Sequence, residues 1–237
     1  MGKNLIQQAR GKGGPRYRAP SHRYRGATRY PSLNENNVRG TVADLINCPG
    51  HSAPLCVVDY ENGNSALMIA ADAIKVGQDV EIGPGTAIKP GNITLLKNIP
   101  EGTYIYNIES APGDGGKFVK ASGTFARIVT KQKGDIIVLL PSKKKKAFRP
   151  ECRATIGMVA GSGRCEKPFY KAGRRHHAMR ARNKLYPLVS GTSMNAVDHP
   201  FGGSKSSKKG RSTTTSGNAP PGRKVGLLRA RKTGKKR

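Results

Sequence analysis

The sequence predicts a mainly β protein made of two small barrels, OB-like and then SH3-like, with an extended basic arm before them and an extended basic tail after them. Of the 45 Leu, Ile, Val and Phe residues, 33 lie between Val38 and Val159, so the central region has the side chains for a core. The formal charge of +29 lies mainly outside it: residues 31–140 carry nine basic and eleven acidic side chains, and residues 141–237 carry 26 basic and three acidic ones. A charge this large indicates a polyanionic partner.

The predicted N-terminal arm spans residues 1–35. Its first 30 residues carry eight basic side chains and no acidic ones, and Gly and Pro interrupt them without an apolar period. Tyr17, Tyr24 and Tyr30 alternate with arginines, a pattern typical of segments that stack on bases while cations contact phosphates. The alternative is a flexible solubilising tail. The candidate RNA-binding residues here are Arg10, Lys12, Arg16, Tyr17, Arg18, His22, Arg23, Tyr24, Arg25 and Arg29.

Nine short β-type runs follow the arm, at residues 38–46, 55–60, 65–71, 79–82, 103–109, 116–122, 124–130, 135–140 and 154–160. Asn62-Gly63 predicts a hairpin turn with positive φ at both residues, and Lys133-Gly134 predicts a second hairpin. Glycine and proline cluster in residues 81–92. We therefore expect an OB-like RNA-binding domain at 36–85 and an SH3-like barrel at 86–187, although the strand count alone also allows a single sandwich.

The last part of the second domain predicts a short helix over residues 171–184, and residues 188–237 form the predicted C-terminal tail. The tail has twelve basic and no acidic residues after Asp198 and too few apolar residues to fold alone. The lysine run 143–146 has the alternatives of a solvated loop or an import signal, but phosphate contact is favoured. The candidate RNA-binding residues of this half are Lys143, Lys144, Arg149, Arg153, Arg174, Arg175, His176, His177, Arg180, Arg182, Met194, Asn195, His199, Arg223, Lys224, Arg229 and Arg231.

The sequence contains no complete catalytic or metal-binding motif. Residues 112–117 lack the phosphate-loop spacing, residues 161–166 fail the dinucleotide pattern, and residues 191–195 fail the nucleophile-elbow pattern. The cysteines, spaced C-x7-C and C-x12-C, have no metal-ligand pattern, and we expect them to stay reduced. No apolar run is long enough for a bilayer. We therefore expect a non-enzymatic cytoplasmic protein without a metal or cofactor and without a membrane partner.

The segment GTSMNAVDHPFGG, residues 191–203, closely resembles the signature of the universal large-subunit ribosomal protein family usually called L-two. CRATIG, EGTYIYNIE, PGDGGK, RAPSHRYRG and APPGRKVG agree with the same family, so the resemblance runs nearly from end to end. The short N-terminus and the APPGRKVG motif resemble the archaeal branch.

This resemblance implies a protein of the large ribosomal subunit whose termini enter large-subunit rRNA near the peptidyl-transferase region. It also implies other ribosomal proteins, the small subunit at an intersubunit bridge and nearby tRNA as partners. The family's signature histidine corresponds to His199, for which the resemblance implies a positioning role. Phe201 stands where many members have a second histidine.

Two other functions compete with this interpretation. An extra-ribosomal RNA chaperone or DNA-compacting factor shares the basic arms but does not require the segment 191–203. An RNA-modifying enzyme requires a convergent set of catalytic groups, which the sequence does not offer.

Overall fold

The structure, a computed structural model, describes residues 5–32, 37–132, 134–203 and 214–230. It contains two compact units. We call Ser21–Tyr170 the β body, and we call the second unit, which joins Met1–Pro20 to Lys171–Arg237, the terminal unit. The prediction of a mainly β protein is confirmed.

The β body contains one sheet of ten strands within its described residues. The strands are β1 (Val38–Ile46), β2 (Leu55–Tyr60), β3 (Ser65–Ile69), β4 (Asp79–Ile82), β5 (Ile93–Leu95), β6 (Tyr104–Tyr106), β7 (Ala126–Gln132), β8 (Asp135–Leu139), β9 (Lys145–Phe148) and β10 (Arg153–Ile156). Their order is β3-β2-β1-β4-β5-β10-β6-β7-β8-β9. Neighbours pair antiparallel except β4 and β5, which meet in parallel at Ile82 and Ile93. This single parallel contact joins the two halves of the sheet.

Eight of the nine predicted strands are confirmed, and the prediction at residues 116–122 is wrong. That stretch makes only an isolated bridge between Phe118 and Ile108, because the backbone turns at Gly116 and Val119, both with positive φ. Two strands of the β body, β5 and β9, were not predicted. The lysine-rich β9 lies at an end of the sheet, where one side of a strand can carry exposed charges.

Both predicted hairpins are confirmed, with one correction at the first turn. β2 and β3 pair from Leu55–Ile69 to Asp59–Ser65, and Gly63 has φ of 78° whereas Asn62 does not have a positive φ. The Gly63 N–H donates to the Tyr60 carbonyl at 2.9 Å, so a type I turn followed by a left-handed glycine closes the loop. β7 and β8 form the second hairpin; Lys133 lies outside the described residues.

Three apolar clusters stabilise the β body. Val42, Val58 and Ile82 lie in a cluster formed by β1–β4, and Ile105 and Ile128 lie in a cluster formed mainly by β6–β10. The third cluster contains Leu55, Ile69, Tyr106 and Val159 and so includes residues of both halves. Burying these side chains is the main source of stability in the β body.

The terminal unit contains two helices, α1 (Ile6–Gly11) and α2 (Ala172–Arg180), and a parallel pair of two-residue strands, β11 (Thr214–Thr215) and β12 (Leu227–Leu228). The helix predicted in residues 171–184 is confirmed with narrower bounds. The extended conformation predicted for the first residues is wrong at α1, whose Gln8, Ala9 and Arg10 favour helix. No apolar side chain of the terminal unit is buried among the residues described.

Candidate nucleic-acid interface

The second half of the predicted arm belongs to the β body. The Arg29 N–H donates to the Leu67 carbonyl on β3 at 3.3 Å, and the Lys120 ammonium donates to the Thr28 carbonyl at 3.4 Å. Desolvation lowers the pKa of Lys120, and the charge of Asp114 opposes part of that change. Residues 21–32 are thus attached to the sheet by backbone and side-chain contacts.

Tyr30 is buried rather than free to stack on a base, so this part of the arm prediction is wrong. Its hydroxyl donates to the Asn107 carbonyl at 2.6 Å and lies 2.7 Å from the Thr155 hydroxyl. Burial raises the pKa of Tyr30 well above its ordinary value. Tyr24 is half-buried and packs against the third apolar cluster.

Arg153 is also not a surface cation, which corrects its prediction as an RNA-binding residue. Its side chain is 2% exposed, and its Nε and Nη2 donate to Glu109 Oε1 at 2.9 and 2.7 Å. Its Nη1 donates to the Pro31 carbonyl at 2.6 Å, and the guanidinium lies 5.2 Å from the centre of the Tyr30 ring. The guanidinium therefore balances the buried Glu109 carboxylate, a partner that the spacing of the sequence did not reveal.

The other basic candidates of the β body are exposed. They are His22, Arg23, Arg25, Arg29, Lys143, Lys144 and Arg149. Lys143 and Lys144 form the turn between β8 and β9, where the Leu140 N–H donates to the Lys144 carbonyl. These side chains are available to an anionic partner without unfolding any part of the sheet.

Helix α2 presents cations on all sides. Its candidates Arg174, Arg175, His176, His177 and Arg180 are exposed, and Arg182 follows in an exposed position. The helix has no buried residue and no acidic residue in its first turn. Because like charges at helical spacing repel, a polyanion would stabilise this helix.

Asn183 joins the first residues to the end of α2 and was missed by the sequence analysis. Its amide nitrogen lies 2.9, 2.8 and 2.6 Å from the carbonyls of Pro15, Arg16 and Arg18. This contact brings together two predicted clusters, Arg16–Arg18 and Arg180–Arg182. The signal available in the sequence was an asparagine just beyond a predicted helix, a position where the left-handed conformation is common. Asn183 adopts that conformation, with a φ of 51°.

The loop at residues 190–203 is closed by its own backbone. The Asn195 carbonyl accepts from the N–H groups of Asp198 and His199, and the Met194 carbonyl accepts from the Gly203 N–H. The His199 ring lies against Gly191, where a Cβ would be 2.2 Å from the ring, so any other residue there would force the imidazole to move. The Asn195 side chain is exposed and that of Met194 is half-buried.

His199 has one ring nitrogen engaged within the loop. Nδ1 lies 3.0 Å from the Phe201 N–H and accepts from it, so the neutral ring carries its proton on Nε2. The Phe201 ring lies 5.3 Å from the imidazole, centre to centre. Nε2 has no hydrogen-bond partner among the described residues, and the ring is half-buried. The geometry suits a hydrogen-bond donor.

The remaining candidates lie at the two ends of the terminal unit. Arg10, Lys12, Arg16, Tyr17 and Arg18 are exposed, as are Arg223, Lys224 and Arg229; Arg231 lies outside the described residues.

Across the described ranges, no group of three His, Cys, Asp or Glu side chains could hold a metal ion. No described helix is long and apolar enough to cross a membrane. All four cysteines are free, and only Cys165 is exposed.

Two family models match the chain. Residues 3–82 match the model described as "Ribosomal Proteins L2, RNA binding N-terminal domain", and residues 89–221 match "Ribosomal Proteins L2, C-terminal domain". The chain belongs to the L2 family of ribosomal proteins. Its resemblance to that family at the signature 191–203 is confirmed.

Archaeal members of the L2 family are similar to this chain over its whole length. The large ribosomal subunit protein uL2 of Methanothermobacter thermautotrophicus is 50% identical over 241 residues, which cover 100% of both chains. The proteins of the same name from Methanosphaera stadtmanae and Methanococcus vannielii are each 49% identical, again over 100% of both chains. The archaeal type inferred from the sequence is confirmed.

Proposed function

We propose that this chain is a structural constituent of the large ribosomal subunit in the cytoplasm and that it binds large-subunit rRNA. The observation that carries the proposal is the terminal unit, whose 1–20 and 171–237 segments have 23 basic side chains and one acidic one. With no buried apolar side chain among its described residues, this unit gains stability mainly from an anionic scaffold. Membership of the L2 family supports ribosomal RNA as that scaffold.

We propose different roles for the two units. The β body serves as a folded anchor. We propose an OB-like part at 36–85 and an SH3-like part at 86–187, of which residues 86–170 belong to the β body. The terminal unit supplies most of the phosphate contacts, through the exposed cations of residues 10–18, α2 and the tail. Each neutralised phosphate releases condensed counterion, so affinity falls steeply with salt.

The partners proposed beyond rRNA are neighbouring ribosomal proteins, the small subunit at an intersubunit bridge, and tRNA close to the peptidyl-transferase region. The uL2 proteins of the three archaea are named for the large ribosomal subunit, which supports this placement. We propose no catalytic step for the chain, because no acidic or basic side chain among the described residues makes a hydrogen bond with the His199 ring.

Sedimentation of native extract at low and high salt, followed by crosslinking and identification of the bound RNA, tests this function. We expect the chain to migrate with large subunits and to crosslink to large-subunit rRNA at low salt, and a smaller fraction of it to remain bound at high salt. Migration with DNA, or with RNA outside ribosomal particles, would contradict the proposal and favour an extra-ribosomal nucleic-acid-binding protein.

His199 offers a separate test of a positioning role. His199→Ala removes both the Nδ1 acceptor and the Nε2 donor, so we expect fewer assembled or joined subunits, whereas particles that do assemble retain peptide transfer. His199→Asn keeps an acceptor for the Phe201 N–H, and we expect it to preserve the loop without placing a donor where Nε2 lies, because the asparagine side chain is shorter. Loss of single-turnover peptide transfer in fully assembled His199→Ala particles would argue for a catalytic imidazole.

A further inference from the structure

Two aromatic rings are exposed side by side on the β body, outside its three apolar clusters. Tyr104 on β6 is 47% exposed and Phe125 just before β7 is 40% exposed. Their ring centres are 4.7 Å apart with the planes inclined at 59°. Large exposed aromatic side chains that contact each other indicate a binding surface rather than chance exposure.

The sheet register places two cations in line with these rings. Tyr104 lies opposite Arg127, Arg127 lies opposite Leu139, and Leu139 lies opposite Lys145, so one row crosses β6, β7, β8 and β9. Residues directly opposite in an antiparallel pair share a face of the sheet. Phe125 shares it too, because it lies two residues before Arg127. The intervening Ala126 is buried on the other face.

The exposed charges on the segments that carry the rings are mainly positive. Between residues 102 and 132, all of them described, the exposed charged side chains are Lys117, Arg127 and Lys131. The two acids of this stretch are withdrawn from the surface: Glu109 is fully buried, and the Asp114 side chain is 13% exposed and accepts from three backbone N–H groups. Just before this stretch, Glu101 is exposed, and its Oε1 accepts from the Lys131 N–H at 2.7 Å. Residues 101–132 thus expose three cations and one carboxylate, a balance that still favours an anionic partner.

We infer that Tyr104 and Phe125 form a stacking platform for an unpaired base of RNA, with Arg127 and Lys145 contacting the phosphates on either side of that nucleotide. Strands are about 4.8 Å apart, so the row from Tyr104 to Lys145 spans about 14 Å, enough for a short single-stranded segment. The pairing of aromatic faces with a cationic track is the usual design for single-stranded nucleic acid. The inference rests on the proposed function, since it supposes that the RNA is ribosomal.

A protein partner fits this surface less well. The centre of a protein interface is depleted of charge, and a stable interface buries about 800 Å² on each side. Here two rings lie directly beside Arg127, and Lys145 ends the row. A base needs only the ring faces, and the cations match its phosphates.

Binding of the full-length chain to protein-free large-subunit rRNA, measured over a range of salt concentrations, tests the platform. Replacing both rings, Tyr104→Leu with Phe125→Leu, keeps apolar bulk and removes the aromatic faces. From the usual stacking energies we expect affinity to fall by at least about fivefold, with an unchanged salt slope. Tyr104→Phe keeps the ring, and we expect it to bind like the wild type. Arg127→Gln is expected to reduce the salt slope by about 0.7 to 0.9.

Leu45→Ala is the matched control, because Leu45 is a non-aromatic apolar side chain on β1 with 39% exposure. Wild-type affinity in the double leucine variant would overturn the platform. If that variant binds rRNA normally but is not retained in assembled subunits, the rings contact a protein instead. Equal losses for Tyr104→Phe and Tyr104→Leu would also overturn it.

Photocrosslinking to RNA that carries 5-iodouridine gives a readout independent of affinity. We expect the crosslinks in the tryptic fragments 98–117, which contains Tyr104, and 121–127, which contains Phe125. Crosslinks confined to other fragments would overturn the inference. If the wild type fails to bind rRNA, the proposed function fails; binding of oligo(U) by the wild type, weakened in the double leucine variant, would still support the platform.

Discussion

The β body and the terminal unit reach order by different physical routes. Every buried apolar side chain among the described residues lies in the β body, where the strands and their connections form three apolar clusters. The terminal unit is held by local backbone bonds, by the Asn183 amide and by ring contacts such as the Arg175 guanidinium lying 5.5 Å from the centre of the Tyr186 ring.

The charges divide along the same line. Residues 21–170 carry 20 basic and 13 acidic side chains, a formal charge of +7, whereas 1–20 and 171–237 together carry +22. A unit without a core pays a conformational entropy cost on ordering that only an external partner offsets. From this difference we expect the β body to fold by itself and the terminal unit to become ordered on its ligand.

Removing the terminal unit is expected to have the largest effect. A fragment of residues 21–170 should melt cooperatively and bind large-subunit rRNA at least about 100-fold more weakly, with a salt slope smaller by about 0.7 to 0.9 for each lost phosphate contact. Filter binding across a salt series measures both quantities. An unchanged salt slope would show that the β body makes the phosphate contacts. The terminal unit would then not be the part of the chain that binds phosphate.

A second truncation tests whether residues 21–32 belong to the folded β body. A fragment of residues 36–170 also loses Tyr30 and the Pro31 carbonyl, which bind Asn107, Thr155 and Arg153. We expect it to melt at a lower temperature than the 21–170 fragment. Equal melting temperatures would mean that residues 21–32 are not part of the folded body.

Breaking the buried ion pair is expected to have the next largest effect, and only on the β body. Arg153→Met leaves the Glu109 carboxylate buried without its partner and should lower the free energy of unfolding by about 3–5 kcal/mol. Urea unfolding of the full chain measures the change. Adding Glu109→Gln should recover part of the loss, because the uncompensated charge is then removed.

Arg39→Met is the matched control for this prediction. Arg39 pairs with Asp79 at 3.7 Å on the surface, with both side chains more than half exposed, so its loss should change stability by less than about 1 kcal/mol. If Arg153→Met were as mild as Arg39→Met, the buried network would not contribute to the stability of the β body.

A smaller effect is expected at the turn that contains Asp114. Burial alone would raise the pKa of this carboxyl, but the backbone N–H groups of Gly116, Ala111 and Ser110, together with the Lys117 ammonium 3.2 Å away, lower it below its ordinary value. Its stabilising contribution is therefore present above the ordinary aspartate pKa and is lost as the pH falls through the lowered one.

Asp114→Asn should thus destabilise the chain by about 1–2 kcal/mol at neutral pH, with a smaller difference from the wild type below about pH 3.9. Urea unfolding at a series of pH values measures this convergence, and Asp59→Asn on the exposed side of β2 is the control. A destabilisation that grows as the pH falls would contradict the assigned direction of the pKa.

The smallest effect on stability is expected in the terminal unit itself. Asn183→Ala removes the contacts to residues 15–18 and should change unfolding of the β body by less than about 0.5 kcal/mol. Trypsin should nevertheless cut faster at Arg16 and Arg18. Asn183→Gly keeps the left-handed backbone without the amide, so equal cleavage in the two variants would assign the effect to the amide. A large loss of β-body stability in either variant would contradict the independence of the two regions.

The sequence predicted some contacts of the candidate interface and missed others for a physical reason. Exposed cations on α2 were predictable because a helix with no acidic residue has no internal partner for them. Arg153 looked the same in the sequence, yet it is buried, since its partner Glu109 is 44 residues away and meets it only across the folded sheet. Tyr30 was misassigned for the same reason, because Asn107 is 77 residues away.

The amino-acid sequence by itself determined the class of the fold, most of its strands, the cationic ends and the family, because alternation, charge and motif spacing are local properties of the chain. Tertiary structure decided which polar side chains are buried, how Asn183 joins two distant segments, and which side chains line up across β6, β7, β8 and β9. These features depend on contacts between residues far apart in the chain, whose geometry is fixed only when the strands pair and the apolar clusters close.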